Sequence, residues 1–379
     1  MLKWSYKIAV KRGGKTVAEK GLYIHIPFCN VKCKYCDFYS GPYSHDVGVR
    51  YVNAVIRELE NYSHTKTDTL YLGGGTPTVL GEKNLNLLLD YVFKTFGPQK
   101  EATIEANPAD DLYDIFKTVK DYGINRVSLG VQSGCDDELK ILGRRHNTAD
   151  VIKTVEDINK IGIDNYSLDL MLGIPNQTPE SLQKSVEFLV SLNPKHISSY
   201  LLKIEEGTPF YKMQNELNLP DSDTSADLYL QAVELLEKQG FSQYEVSNFS
   251  QKGFEALHNL KYWNCEEYIG VGPSAHGFLD GKRYYYERNL EKFISHATPV
   301  FDGDGGTFDE YFMLKLRLAE GLNFAEFEKR YFVLPEMLKT KASEFSKLGL
   351  VNLTDSGLAL TKNGFLVSNT IISELLSCI

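Results

Sequence analysis

Gly21-Leu22-Tyr23-Ile24-His25-Ile26-Pro27-Phe28-Cys29-Asn30-Val31-Lys32-Cys33-Lys34-Tyr35-Cys36 joins two signals in sixteen residues. Gly21–Ile26 alternates and is rich in β-branched and aromatic residues, which predicts a strand. Pro27 ends it, and three cysteines follow in C-x₃-C-x₂-C spacing. Three thiolates so placed can hold three irons of a [4Fe–4S] cube and leave the fourth open. The alternative is a Cys₃His zinc site completed by His25 or His45, although zinc sites usually use paired knuckles rather than one triplet at a strand exit.

Further along the chain, similar apolar runs recur at Thr69–Leu72, Ala102–Ala106, Arg126–Val131, Asn165–Leu172 and His196–Leu202. Amphipathic segments alternate with them at Asp46–Tyr62, Lys83–Phe96, Leu112–Tyr122, Ala149–Ile161 and Pro179–Leu192, followed by Ser225–Gln239. Six strands alternating with helices imply βαβ units and a parallel sheet, either curled into a barrel or doubly wound. Ligands of such sheets sit at the carboxyl ends of the strands. Polar or glycine-rich residues occur there: Gly73-Gly74-Gly75-Thr76-Pro77 after the second strand, Glu105-Ala106-Asn107-Pro108 after the third, Gln132-Ser133 after the fourth, and Asp169 within the fifth. The glycine turn lacks the Gly-Lys-Ser/Thr ending of a P-loop.

With 379 residues and 42% hydrophobic positions, the chain is large enough to bury a core without disulfide staples. Its six cysteines, three clustered and three single at Cys135, Cys265 and Cys378, therefore suggest a metal site in a reducing compartment. The first residues carry no secretory signal pattern, no apolar run is long enough to span a bilayer, and Cys378 is misplaced for prenylation. These features point to the cytoplasm. A net charge of −9 argues against broad nucleic-acid contact.

After residue 240 the pattern changes. Residues 241–306 are rich in aromatics and glycine, including Tyr284-Tyr285-Tyr286, and read as irregular β structure ending in a linker-like Gly-Asp-Gly-Gly. Residues 307–379 predict helix at Glu310–Leu318, helix at Pro335–Lys347, a hairpin over 350–360 and helix at Gly364–Leu376, which resembles a winged-helix unit. The chain thus divides at 1–240, 241–306 and 307–379. The stretch Gly270-Val271-Gly272-Pro273-Ser274-Ala275 also fits a dinucleotide fingerprint, but Pro273 and the following glycines deny the helix it needs.

The cysteine triplet followed in order by Gly-Gly-Gly-Thr-Pro, Ile-Glu-Ala-Asn-Pro and Leu-Gly-Val-Gln-Ser resembles the radical S-adenosylmethionine (SAM) superfamily. Within it, residues 21–29 resemble the branch of oxygen-independent coproporphyrinogen III dehydrogenase and its haem-chaperone relatives, the HemW family. The resemblance implies a partial (β/α)₆ TIM-like barrel with a smaller C-terminal α+β region. It also implies a [4Fe–4S] cluster on Cys29, Cys33 and Cys36, with SAM chelating the open iron. By the same resemblance Gly74, Gly75 and Thr76 would meet the methionine end of SAM, and Arg144 its carboxylate, with Arg145 as a possible substitute. Glu105, Gln132 and Asp169 would contact the ribose and neighbouring polar groups, Tyr35 would lie beside the adenine, and Tyr23 against the sulfonium end. An electron donor such as flavodoxin or ferredoxin would serve the cluster.

Two departures separate the chain from the dehydrogenase branch. That enzyme has a fourth cysteine where Phe38 stands, and a long N-terminal extension where only 22 residues precede Tyr23. His258-Asn259-Leu260-Lys261-Tyr262-Trp263 resembles the H-N-x-x-Y-W signature of the HemW family. The resemblance therefore implies a haem chaperone that carries haem, or a related porphyrin, to a haem-accepting protein. His258 is its candidate iron ligand, with His276 and Cys265 as weaker ones. A structural histidine is the competing reading of His258, and oxidative decarboxylation of coproporphyrinogen III is the competing activity.

Overall fold

Six strands form where alternation predicts them: β1 (Lys20–Ile26), β2 (Thr67–Gly74), β3 (Glu101–Ala106), β4 (Arg126–Gln132), β5 (Asn165–Leu172) and β6 (His196–Leu201). The computed structural model describes residues 19–108 and 111–379. Successive strands pair in parallel, with Leu22, Tyr23 and Ile24 opposite Leu70, Tyr71 and Leu72. The period of two divides each strand into two sets. One is aliphatic and fully buried, as in Leu22, Ile24 and Ile26, Leu70 and Leu72, and Leu168 and Leu170. Each such side chain stabilises the fold by about 1.5–3 kcal/mol. The other set is polar or aromatic: Tyr23 and His25, Tyr71, Thr103 and Glu105, Arg126 and Ser128, Ser167 and Asp169.

Between the strands run α1 (His45–Leu59), α2 (Gly81–Phe96), α3 (Tyr113–Tyr122), α4 (Asp136–Leu142), α5 (Thr148–Ile161) and α6 (Pro179–Ser191), followed by α7 (Pro209–Lys212) and α8 (Ser222–Lys238). Their starts follow local chemistry. Ser44 caps α1, an Asn147/Asp150 capping box opens α5, and Thr178 with Pro179 at the first position opens α6.

Residues 241–306 extend this sheet at both edges. β7 (Ser242–Glu245) and β8 (Asn248–Ser250) add to β6, with β8 antiparallel to it. α9 (Leu257–Trp263) then leads to β9 (Tyr268–Val271), which pairs in parallel with β1. β10 (His276–Leu279), β11 (Lys282–Tyr285), α10 (Leu290–His296) and β12 (Val300–Asp304) follow, giving a sheet order of β12-β11-β10-β9-β1-β2-β3-β4-β5-β6-β8-β7. Two expectations are corrected here. The His258–Trp263 signature is helical rather than irregular β, because Glu101 of β3 accepts from the backbone N–H groups of Leu257 and His258, both at 2.9 Å, and so satisfies the helix start. Gly303 and Asp304 lie in β12, paired to β11, rather than in a free linker. The turn after β9 leads to a strand, which removes the dinucleotide reading. Gly270 is needed there because a Cβ would lie 1.8 Å from the His276 carbonyl oxygen.

Lys20–Gly306 is one compact unit and Thr307–Ile379 belongs to another. The latter contains α11 (Phe308–Lys315), β13 (Leu322–Asn323), α12 (Phe324–Arg330), α13 (Glu336–Lys347), β14 (Val351–Leu353), β15 (Gly357–Leu360), α14 (Lys362–Leu366) and α15 (Ser368–Leu376), with strand order β13-β15-β14. Fully buried Phe312 and Phe327 meet edge to face in its core. The short α12 is an element that periodicity misses, and Val367 splits the last helix in two.

Candidate functional site

The cysteine loop is fastened on both sides before any ligand is considered. Cys29 N–H donates to Gly41, and Gly41 N–H to Pro27, so residues 29–41 leave and rejoin the end of β1. Lys34 N–H donates to Leu142 at the end of α4, and Lys34 C=O accepts from Phe210 of α7. The turn after β2 closes against the same exit: Gly75 N–H donates to Ile26 O at 2.8 Å and Thr76 N–H to Phe28 O at 2.7 Å. Gly74 has φ +107°, and a Cβ on it would meet the His25 ring at 2.6 Å.

A hydrogen-bonded chain ties the cysteines to the strand ends. Asn107 Nδ2 donates to Thr76 Oγ1 at 2.8 Å, leaving that hydroxyl to donate to Cys29 Sγ at 3.4 Å. Arg144 Nη2 donates to Asn107 Oδ1 at 2.5 Å and to the Gly130 carbonyl, while Nη1 reaches Cys33 Sγ at 3.4 Å. Arg144 holds this position because α4 stops at Gly143 in left-handed backbone just before it. Arg145, its possible substitute, is exposed. Deeper in the cleft, Glu105 accepts from Tyr71 Oη at 2.8 Å and Gly74 N–H at 3.0 Å. Tyr200 Oη donates to Gln132 Oε1 at 2.6 Å, where a bulge in β4 turns Gln132 to φ +76°.

Burial dominates the electrostatics. It pushes the Glu105 carboxyl up to about 7 and that of Asp169 up to about 6, against the opposing effects of Tyr71 on Glu105 and Ser198 on Asp169. Burial raises Cys36 to about 11, with Cys33 and Cys29 adding to the rise. For Arg144 burial opposes the charge, but Tyr35 and Cys33 hold its pKa above the ordinary value.

One open cleft of about 720 Å³ is lined by Cys29, Cys33, Tyr35, Cys36, Gly74, Gly75, Thr76, Glu105, Gln132, Arg144 and Asp169. Every cluster and SAM candidate except Tyr23 lines it. Among the described residues no three Cys, His, Asp or Glu side chains converge on one metal ion. His25 is not open to zinc: its Nε2 bonds Tyr39 O at 3.0 Å and its Nδ1 bonds Tyr23 Oη at 2.9 Å. The three cysteines line one cleft and two of them receive polar donors, which fits a larger thiolate-bound body. The sequence pattern set Asn107 among the strand-end polar residues without giving it a role, and it missed Tyr200 as a site residue. Their signal was position alone, since both stand at carboxyl ends of strands.

Tyr23 lines a neighbouring cavity of about 940 Å³, together with His25, Tyr71, Tyr262, Tyr268, His276 and Arg288. A further cleft of about 1050 Å³ runs from Tyr35 and Phe38 towards Lys203 and Asn248. His258 lines none of these three. It is fully buried, with Nδ1 bonded to Thr69 Oγ1 at 2.9 Å and Nε2 to Tyr262 Oη at 2.7 Å. Burial, then Lys261 and Arg126, lowers its pKa to about 3. Of its two readings, this is the geometry of a structural histidine.

A partial parallel barrel with a cysteine triplet at the exit of its first strand, facing glycine-rich and acidic strand ends, defines the radical SAM class. Residues 23–189 match the radical SAM superfamily and residues 309–367 match the HemN C-terminal domain. The chain is 35% identical over 380 residues to the heme chaperone HemW of Bacillus subtilis, covering 94% of this chain and 99% of that one. It is 34% identical to the heme chaperone HemW of Lactococcus lactis, with 93% and 96% covered. The solved structure of coproporphyrinogen III oxidase (HemN) from Escherichia coli superposes with a TM-score of 0.80 at 20% identity, over 94% of this chain and 90% of that one, and shows the shared fold. The chain belongs to the HemW family of the radical SAM superfamily.

Proposed function

We propose that this protein is a haem chaperone that holds a [4Fe–4S] cluster on Cys29, Cys33 and Cys36, binds SAM in the adjoining cleft, and delivers haem to an acceptor protein. The observation that carries the reading is the single cleft in which the three thiols meet the strand-end residues and which adjoins two larger cavities, one of them walled by tyrosines. The names of the relatives point the same way.

When bound and reduced, the cluster supplies one electron for cleavage of a sulfonium C–S bond. This chain's residues orient the ligands. Arg144 spends its Nη2 hydrogens on Asn107 and the Gly130 carbonyl and reaches Cys33 through Nη1, so it attracts the SAM carboxylate by its positive charge and its remaining N–H groups. Glu105, Gln132 and Asp169 present acceptors for ribose hydroxyls and cationic groups, and Tyr35 covers the adenine. Tyr23 stands nearer the sulfonium side, beyond Glu105. A one-electron donor such as flavodoxin or ferredoxin reduces the cluster.

The test is anaerobic reconstitution followed by three measurements on one sample. Iron and sulfide content should approach one cube per chain, SAM should perturb the EPR spectrum of the reduced cluster, and ferric haem should bind saturably with a Soret shift. No saturable haem binding would sink the chaperone reading. Conversion of coproporphyrinogen III to protoporphyrinogen would assign the chain to oxidative decarboxylation instead.

A further inference from the structure

The cavity of about 940 Å³ beside the cofactor cleft shares Phe38, Gly74 and Glu105 with it. Its aromatic wall has a feature that suits a flat ring. The hydroxyls of Tyr23, Tyr71 and Tyr262 are all engaged, with His25, Glu105 and His258 respectively, so the rings face the cavity as apolar surface without polar ends to satisfy. Phe38, 63% exposed, stands at the junction of the three clefts.

The rim supplies the other two features. His276 on β10 is exposed, and its ring is stacked on Tyr285 at 5.6 Å between centroids, which fixes its direction. Of the two histidines lining this cavity, His25 has both ring nitrogens bonded, whereas no hydrogen bond to the His276 ring occurs among the described residues. Arg288 is the cavity's lysine or arginine. Its contacts are loose: Nη2 to Asp37 O at 3.2 Å and Oδ2 at 3.9 Å, and Nε to Ser274 Oγ at 3.5 Å. A guanidinium so held can turn to a ligand carboxylate at little cost.

We propose that this cavity is the haem site, with the macrocycle against the Tyr23, Tyr71 and Tyr262 rings, His276 as axial iron ligand and Arg288 paired with a propionate. The assignment rests on the chaperone reading above and transfers the ligand role from buried His258 to His276. Imidazole is a common axial ligand of haem iron, and an unpaired ring nitrogen is available without breaking the fold.

The test titrates ferric protoporphyrin IX into the full chain and into His276→Ala and Arg288→Gln. Both side chains are exposed at the rim, and matching far-UV circular dichroism checks that the variants fold. His276→Ala should lose the low-spin ligand signature, bind haem at least tenfold more weakly, and regain the signature on addition of free imidazole. Arg288→Gln should weaken binding of the free acid and leave binding of the porphyrin dimethyl ester unchanged. A His276→Ala spectrum identical to that of the parent would overturn the axial assignment. Equal loss of acid and ester in Arg288→Gln would overturn the propionate pairing. Absence of binding in the parent would instead remove the chaperone reading on which the assignment stands.

Discussion

A methyl group on Gly75 would lie 2.4 Å from the carbonyl oxygen of Phe28, and no flexible side chain is there to yield. Gly75→Ala must therefore push the turn after β2 away from the cysteine loop, breaking the Gly75–Ile26 and Thr76–Phe28 hydrogen bonds and carrying Thr76 off Cys29. The expected result is a folded chain destabilised by about 1–3 kcal/mol that retains less iron after reconstitution. Full iron content would show that the turn does not support the cluster. The two buried carboxyls give a second prediction. With the Glu105 pKa raised to about 7 and that of Asp169 to about 6 by burial, the folded ligand-free chain prefers them protonated. Stability from this source is complete below the ordinary carboxyl range and is lost as pH rises through 6 and 7, by on the order of 1–3 kcal/mol for each group. SAM, a cation, favours the ionised forms, so its affinity should rise between pH 5.5 and 8. Glu105→Gln should flatten both profiles; a profile unchanged in the variant would place the titration elsewhere.

At the scale of elements, legibility followed the range of the determining contacts. β1 to β6 were readable because their aliphatic alternation is written locally, and the strand-end polar residues with them. α9 was not, because its cap is the Glu101 carboxylate, more than 150 residues earlier in the chain. The strands β7 to β12 are three to five residues long, below the length at which period two is distinct. The same distance effect left His258 open between a ligand and a structural histidine. Its motif suits either reading, and Thr69 and Tyr262 supply partners for both ring nitrogens only in the fold. Glu101→Gln isolates the cap, since the amide must turn its NH₂ towards one of two N–H donors. We expect a loss of about 1–3 kcal/mol, with hydrogen-exchange protection falling first at Leu257 and His258. Unaltered protection there would mean that α9 starts without the carboxylate.

On the scale of the molecule, the proposed function asks a chain of net charge −9 to accept a cationic cofactor and a dianionic porphyrin side by side. The layout divides the work: buried carboxyls line the cofactor cleft, and exposed Arg288, reaching Asp37 beside Cys36, lines the aromatic cavity. Because Phe38, Gly74 and Glu105 belong to both spaces, the two ligands cannot be independent. Near pH 8, above the raised Glu105 pKa of about 7, the carboxylate is ionised before SAM arrives, so a positive ligand against it offsets a negative charge that otherwise opposes the propionates, and fills space that water would occupy. At an effective dielectric constant near 20, charges of opposite sign held roughly 10–15 Å apart gain on the order of 1 kcal/mol. SAM should therefore tighten haem binding about fivefold, and by reciprocity haem must tighten SAM binding by the same factor. Titrating each ligand in the presence and absence of a saturating concentration of the other tests this on the reconstituted protein. Equal factors above one would support adjoining sites, whereas factors of one would mean that haem occupies a surface remote from the cofactor cleft. Glu105→Gln should reduce the coupling, because the charge that SAM offsets is then gone.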